Sequence, residues 1–159
     1  MQADSLDEVI ISDTSTLLAL YEIGEISVLR RLFGKIVTTS TVQKEFQYPL
    51  PSWIDICEPT EENVRHIQER FKLDSGETTA IALALSIPEP RLLIIDEIAG
   101  RRAAQELGIE ITGTLGILLR AKKQGAVSAM RPLIQKLQDN NFRMSETLIA
   151  EVLIEAGED

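Results

Sequence analysis

The chain has 159 residues, 44% of them hydrophobic and only 4% aromatic. This composition excludes disorder, a collagen-like repeat or a chain-length coiled coil, and predicts one globular domain with an aliphatic core. Acidic residues outnumber basic ones 25 to 16, for a net charge of −9, a balance that argues against a non-catalytic DNA- or RNA-binding module.

Residues 1–7 are polar and acidic, with no basic patch before an apolar stretch, so no signal peptide is expected. A β-branched run at 9–11 predicts a strand buried on both faces, stopping at Ser12-Asp13. Helical patterns follow at 16–21 and 26–33, divided by Gly24 and closed by Gly34, and then a strand at 35–38. Ser40 opens a helix with Gln43 as its capping-box partner, and Pro49 and Pro51 end that segment. A short third strand is expected at 53–57, and Thr60 caps a polar helix to about residue 71. Asp74 or Ser75 caps a helix at 76–86, which Pro88 and Pro90 break. Residues 92–95 are the clearest buried strand and stop at Asp96; a helix at 98–107 ends at Gly108, and 109–112 form the last strand. Gly113-Thr114 opens a helix at 115–124, and helices at 127–137 and 145–156 complete the chain.

Strands that are continuous apolar runs and alternate with helices predict an α/β fold with a mostly parallel sheet covered on both sides. No repeat, linker or low-complexity stretch appears, so residues 1–159 read as a single domain with a helical C-terminal part at 126–157. The longest near-apolar runs, 79–87 and 92–95, fall far short of the roughly 20 residues of a membrane helix. The lone Cys57 cannot form an internal disulfide and suits a reducing cytoplasm.

Most acids fit solvated helix faces. Four do not. Asp13 and Asp96 each follow a buried strand, at the edge where parallel sheets hold their ligands. Each also precedes a helix, where Asp is a good N-cap. Glu77 shares a helical stripe with Ala80, Ile81, Ala84 and Leu85, so it points where core residues point; a capping box with Asp74 explains the same position. Glu45 flanks the stripe of Val42 and Phe46, with a packed stem and wet head as the plain alternative. Four carboxylates converging at one sheet edge would need a cation, and oxygen ligands without His or Cys suit Mg²⁺ or Mn²⁺. His66, the only histidine, reads as a surface residue, which excludes His-rich zinc sites and Ser-His-Asp or Cys-His catalysis. Such an ion site points to phosphoryl or phosphodiester chemistry.

In order and spacing, Val9 through Ser15, Val42-Gln43-Lys44-Glu45-Phe46, Asp74 through Ala82 and Ile94-Ile95-Asp96 resemble the acidic motifs of PIN domains. Residues 107–119 look like that family's last strand and following helix, and the likeness spans about 8–124. The resemblance implies a three-layer α/β sandwich and a metal-dependent ribonuclease acting on single-stranded RNA, often the toxin of a toxin–antitoxin pair. It implies that Asp13, Glu45, Glu77 and Asp96 are the catalytic residues that bind Mg²⁺ or Mn²⁺, with Thr14 or Ser15 as a polar support near the first acid. RNA, an antitoxin protein and a second copy of the chain are the implied partners. Ile95 departs from the polar residue usual before the last acid, Glu97 stands ready to assist Asp96, and Arg101 and Arg102 either contact phosphates or neutralise the pocket.

RNA would have to be gripped by local bases, with Lys44, Arg101, Arg102, Arg120, Lys122 and Lys123 as candidates. No aromatic-interleaved basic stretch exists to stack bases, so weak or assisted binding is expected. Haloacid-dehalogenase-type and receiver-type sites are disfavoured, because Ser15 stands where the former needs a second Asp, and Asp7-Glu8 lie at the wrong strand end for the latter. The non-enzymatic alternative is a catalytically degenerate PIN-like module that binds a protein or itself; the Leu148, Ile149, Val152 and Leu153 face either packs inside the molecule, the plainer reading, or serves as that contact.

Overall fold

A computed structural model describes residues 8–159. The acidic stretch 1–7 lies outside the described residues. Five strands form one sheet: β1 (Val9–Ser12), β2 (Ile36–Thr38), β3 (Ile54–Ile56), β4 (Arg91–Ile94) and β5 (Ile111–Thr112), in the order β3-β2-β1-β4-β5. Every pairing is parallel, with Ile11 beside Leu93 and Ser12 beside Ile94. Successive residues of the central strands feed opposite faces, as the period of two demands. Ile10, Leu92 and Ile94 join one core; Ile11, Leu93 and Ile95 join the other. That two-sided burial is why these strands are unbroken apolar runs.

The first face is covered by α1 (Thr14–Glu22), α2 (Ser27–Phe33), α3 (Ser40–Phe46), α7 (Thr114–Lys123), α8 (Arg131–Asp139) and α9 (Glu146–Glu155). The second is covered by α4 (Glu61–Arg70), α5 (Ser75–Ser86) and α6 (Ile98–Glu106). Residues 80–84 of α5 are all buried, so this helix is apolar nearly all round.

The expected elements are present, with local corrections. The cap of α3 is Thr39, not Ser40: the Thr39 hydroxyl accepts from Val42 N at 3.1 Å, and it also bonds the Thr79 hydroxyl at 2.8 Å. Asp74, not Ser75, caps α5. The final strand is only Ile111–Thr112, since Ile109 N bonds back to Ala104 O at the end of α6. The helix expected from residue 127 begins at Arg131, with Pro132 in its first turn, where a missing N–H costs nothing. The apolar face of α9 turns inward, burying Val152 and Leu153. Glu158 then fastens the end of the chain, accepting from Lys122 Nζ at 2.8 Å and from Met130 N at 2.6 Å.

Candidate functional site

The chain runs outward from β1 to β2 and β3, then returns to place β4 on the other side of β1. Connections leaving β1 and β4 therefore diverge, and a crevice opens at their carboxyl ends. Asp13 follows β1 directly, and its N–H bonds Ile94 O at 3.1 Å. Asp96 lies two residues beyond β4, so the parallel register brings both acids to one edge.

Asp13 is 1% exposed. Its Oδ1 caps α1 by accepting from Thr16 N at 3.2 Å, while Oδ2 is buried without a hydrogen-bond partner. Burial raises its carboxyl well above the ordinary range; the Thr16 N–H opposes this, and the negative fields of Asp96, Glu77 and Asp74 add to it. The N-cap reading of Asp13 holds at Oδ1, and Oδ2 is left with no partner inside the protein.

Glu77 is 6% exposed. Asp74 Oδ1 accepts from Glu77 N at 2.8 Å and the Asp74 backbone N–H faces the Glu77 carboxylate in return, as in a capping box, but Oε2 of Glu77 is buried and unpartnered. Burial, followed by the charge of Asp74, pushes its carboxyl from 4.5 up to about 7; the Asp74 hydrogen bond opposes, and Glu97 and Glu45 add smaller repulsions. The side chain lies against α6 at Gly100, where a Cβ would be 3.0 Å from Glu77 Oε2 and 2.6 Å from Ile95 Cδ1. Glycine is required there for close approach.

Asp96 does not cap the helix that follows it; Glu97 occupies that position, exposed and with no side-chain cap bond. Asp96 instead takes three donors: Thr16 Oγ1 at 2.7 Å, Thr114 N at 2.8 Å and Thr114 Oγ1 at 2.6 Å. It ties the first turns of α1 and α7 to the end of β4. Glu45 is exposed on α3, and its Oε1 accepts from Thr14 Oγ1 at 2.6 Å. Thr14 is therefore the polar support, but on the second acid rather than the first.

Arg101 donates to Ile95 O at 2.9 Å, and among the described residues neither Arg101 nor Arg102 forms an ion pair. No arginine is among the groups that shift Asp13 or Glu77, while Arg101 Nη1 and Asp96 Oδ1 both stand close to Gly113. Lys122 and Lys123 are taken up by Glu158 and Glu155, and Arg120 lies 5.3 Å over the Phe33 ring. His66 is exposed on α4, away from this chemistry.

Asp13, Glu77 and Asp96 are thereby brought together electrostatically, with Asp74, Glu97 and Glu45 at the margin. Among the described residues, no three such side chains stand as a ready-made metal cage. The donor set nevertheless fits a hard cation. Two buried carboxylate oxygens lack any partner, and Mg²⁺ is commonly held by one or two carboxylates while keeping several waters. Thr16 and Thr114 were not legible as site residues; the only hint is that each hydroxyl lies in the first turn of a helix that follows a strand.

A family model described as a PIN domain matches residues 9–158. No curated protein and no solved structure gives a significant match. Among the described residues no helix is long and apolar enough to cross a membrane.

Proposed function

The chain belongs to the PIN domain family, in general a family of metal-using nucleases, and on that premise we propose that it is a metal-dependent endoribonuclease of single-stranded RNA. The observation that carries this reading is the pair of unpartnered buried oxygens, Asp13 Oδ2 and Glu77 Oε2, at the carboxyl edge of a parallel sheet. A buried carboxylate without a donor is costly unless a proton or a cation compensates it. Asp13 and Glu77 would hold Mg²⁺ or Mn²⁺ directly, with Asp96 and Glu45 completing the acidic wall. When bound, such an ion supplies the charge that makes a water nucleophilic near neutral pH and offsets the phosphate oxygens. Both carboxyls hold protons more tightly than free acids, and a cation would compete with those protons, so affinity rises with pH. Thr16 and Thr114 hold Asp96 in place, and Arg101, anchored on Ile95 O, is a cation at this edge for a phosphate.

The finer form of the reading is a cytoplasmic toxin of a toxin–antitoxin pair. Leu148 and Ile154, exposed on α9, are the apolar side chains an antitoxin or a second copy would cover. A second reading, a catalytically silent module that binds a protein, is favoured by the absence of a three-acid cage among the described residues and by the three donors already on Asp96.

Incubation with a mixed single-stranded RNA pool and Mn²⁺, beside Asp13→Asn and Glu77→Gln, separates the two. Cleavage that requires the metal and both carboxylates supports the nuclease. Cleavage that survives a chelator, or a metal titration of folded protein without binding, refutes it.

A further inference from the structure

Both tyrosines of the chain, 27 residues apart in sequence, meet in one stack on the surface. The ring centroids of Tyr21 and Tyr48 are 4.3 Å apart at an interplanar angle of 26°. Phe46, fully buried, meets each of them edge-on at 5.5 Å. The tyrosines themselves remain 40% and 43% exposed. The stack is thus anchored from below and open above. Its assembly depends on Gln47, whose φ of 66° is the left-handed conformation usually left to glycine at a helix end; that turn follows α3 directly and leads into Tyr48.

The stack is continuous with the acidic crevice. Tyr21 lies seven residues after Thr14 on α1, hence on the same helical stripe and about 10 Å along the axis. Thr14 in turn bonds Glu45, which precedes Phe46 on α3. Lys44, exposed and without an ion pair among the described residues, stands on the same short helix.

We propose that Tyr21 and Tyr48 form a stacking platform for a nucleobase of the RNA strand, one subsite along from the acidic crevice. The proposal rests on the nuclease reading for the identity of the strand. A chain of net charge −9 grips phosphates poorly, and stacking on an aromatic face needs no charge. The stack is already made, so little side-chain freedom is lost when a base lands on it. A protein partner fits less well: a stable interface covers roughly 800 Å² on each side. Among the described residues the other large exposed apolar side chains, Ile56, Ile98, Leu148 and Ile154, belong to other elements, β3, α6 and α9.

The test is fluorescence anisotropy of the metal-free protein with a labelled oligoadenylate and with the matching abasic ribose-phosphate chain. Tyr48→Ala and Tyr21→Leu should weaken oligoadenylate binding roughly 5- to 100-fold, the span of one stacked base, and leave abasic binding unchanged. Tyr48→Phe should bind as the wild type. In the cleavage assay the same losses should appear in KM and not in kcat. Equal binding by wild type and Tyr48→Ala overturns the platform, as does sedimentation showing that Tyr48→Ala splits a dimer while RNA binding is absent. Cleavage lost in Asp13→Asn but unaltered in Tyr48→Ala sinks the platform and keeps the nuclease. Base-dependent binding without any metal-dependent cleavage keeps the platform and sinks the nuclease.

Discussion

Replacing Glu77 by glutamine should stabilise the metal-free protein at alkaline pH. The native carboxyl titrates at about 7 against 4.5 when free. At ~1.4 kcal/mol per tenfold change in proton affinity, that difference corresponds to roughly 3.4 kcal/mol. Water at the mouth of the crevice screens part of it, leaving about 2 kcal/mol. The native state holds the proton more tightly than the unfolded chain, so this contribution is fully present below pH 4.5 and is lost as pH rises through 7. Thermal unfolding in a chelator should therefore show the wild type losing about 4–8 °C between pH 5 and 8, at 2–4 °C per kcal/mol for a chain of this size. Asp13, raised in the same direction, steepens the fall. Glu77→Gln should be flatter and melt above the wild type at pH 8. Saturating Mn²⁺ should restore the wild type by about 2.7 kcal/mol at a hundredfold excess over Kd, and the variant far less. Coincident pH profiles for the two proteins, or equal rescue by Mn²⁺, would show that Glu77 is an ordinary capping-box residue and that no ion is held at Oε2.

Asp13→Asn should retain the fold, because Asn caps a helix as well as Asp, yet lose metal binding; Asp13→Ala should lose the metal and about 1 kcal/mol of stability as well, and calorimetric titration with denaturant unfolding checks both. Gly100→Ala should cost about 1–3 kcal/mol and lower cleavage, since its methyl is pressed against Ile95 Cδ1 and Glu77 Oε2; urea midpoints and initial rates report the two effects. Glu158→Gln should lower the melting temperature at neutral pH by weakening the Lys122 pair and the bonds to the start of α8. The wild-type carboxyl is lowered from 4.5 to about 2, first by the Lys122 hydrogen bond, so its contribution is present above pH 4.5 and disappears as pH falls through 2. An acid titration followed by circular dichroism should show the variant less acid-sensitive over that window.

The buried strands were legible because both faces of a parallel sheet demand apolar residues, and 9–11 and 92–95 offer nothing else. Asp13 and Asp96 were legible for the same reason, as polar residues that stop such runs. Glu77 stood out by its helical phase, and its burial follows from that phase. What sequence could not show were the links across the fold. Thr16 reaches Asp96 over 80 positions, and nothing local distinguishes its hydroxyl from that of any helix-opening threonine. The cap of α3 fell on Thr39 because two adjacent hydroxyl residues both qualify, and only Thr39 is also held by Thr79. The tyrosine stack was hidden because Tyr21 is on α1 while Tyr48 lies just past α3, so a search for aromatics interleaved with bases along the chain finds none.

The triple seating of Asp96 has a consequence for the order in which the acidic crevice is completed. Two of the three donors come from Thr114, eighteen residues downstream. A ribosome that has not yet released residue 114 carries a chain whose last acid has only Thr16 to steady it. Were the chain the nuclease proposed above, its crevice would stay incomplete during synthesis until residue 114 had emerged.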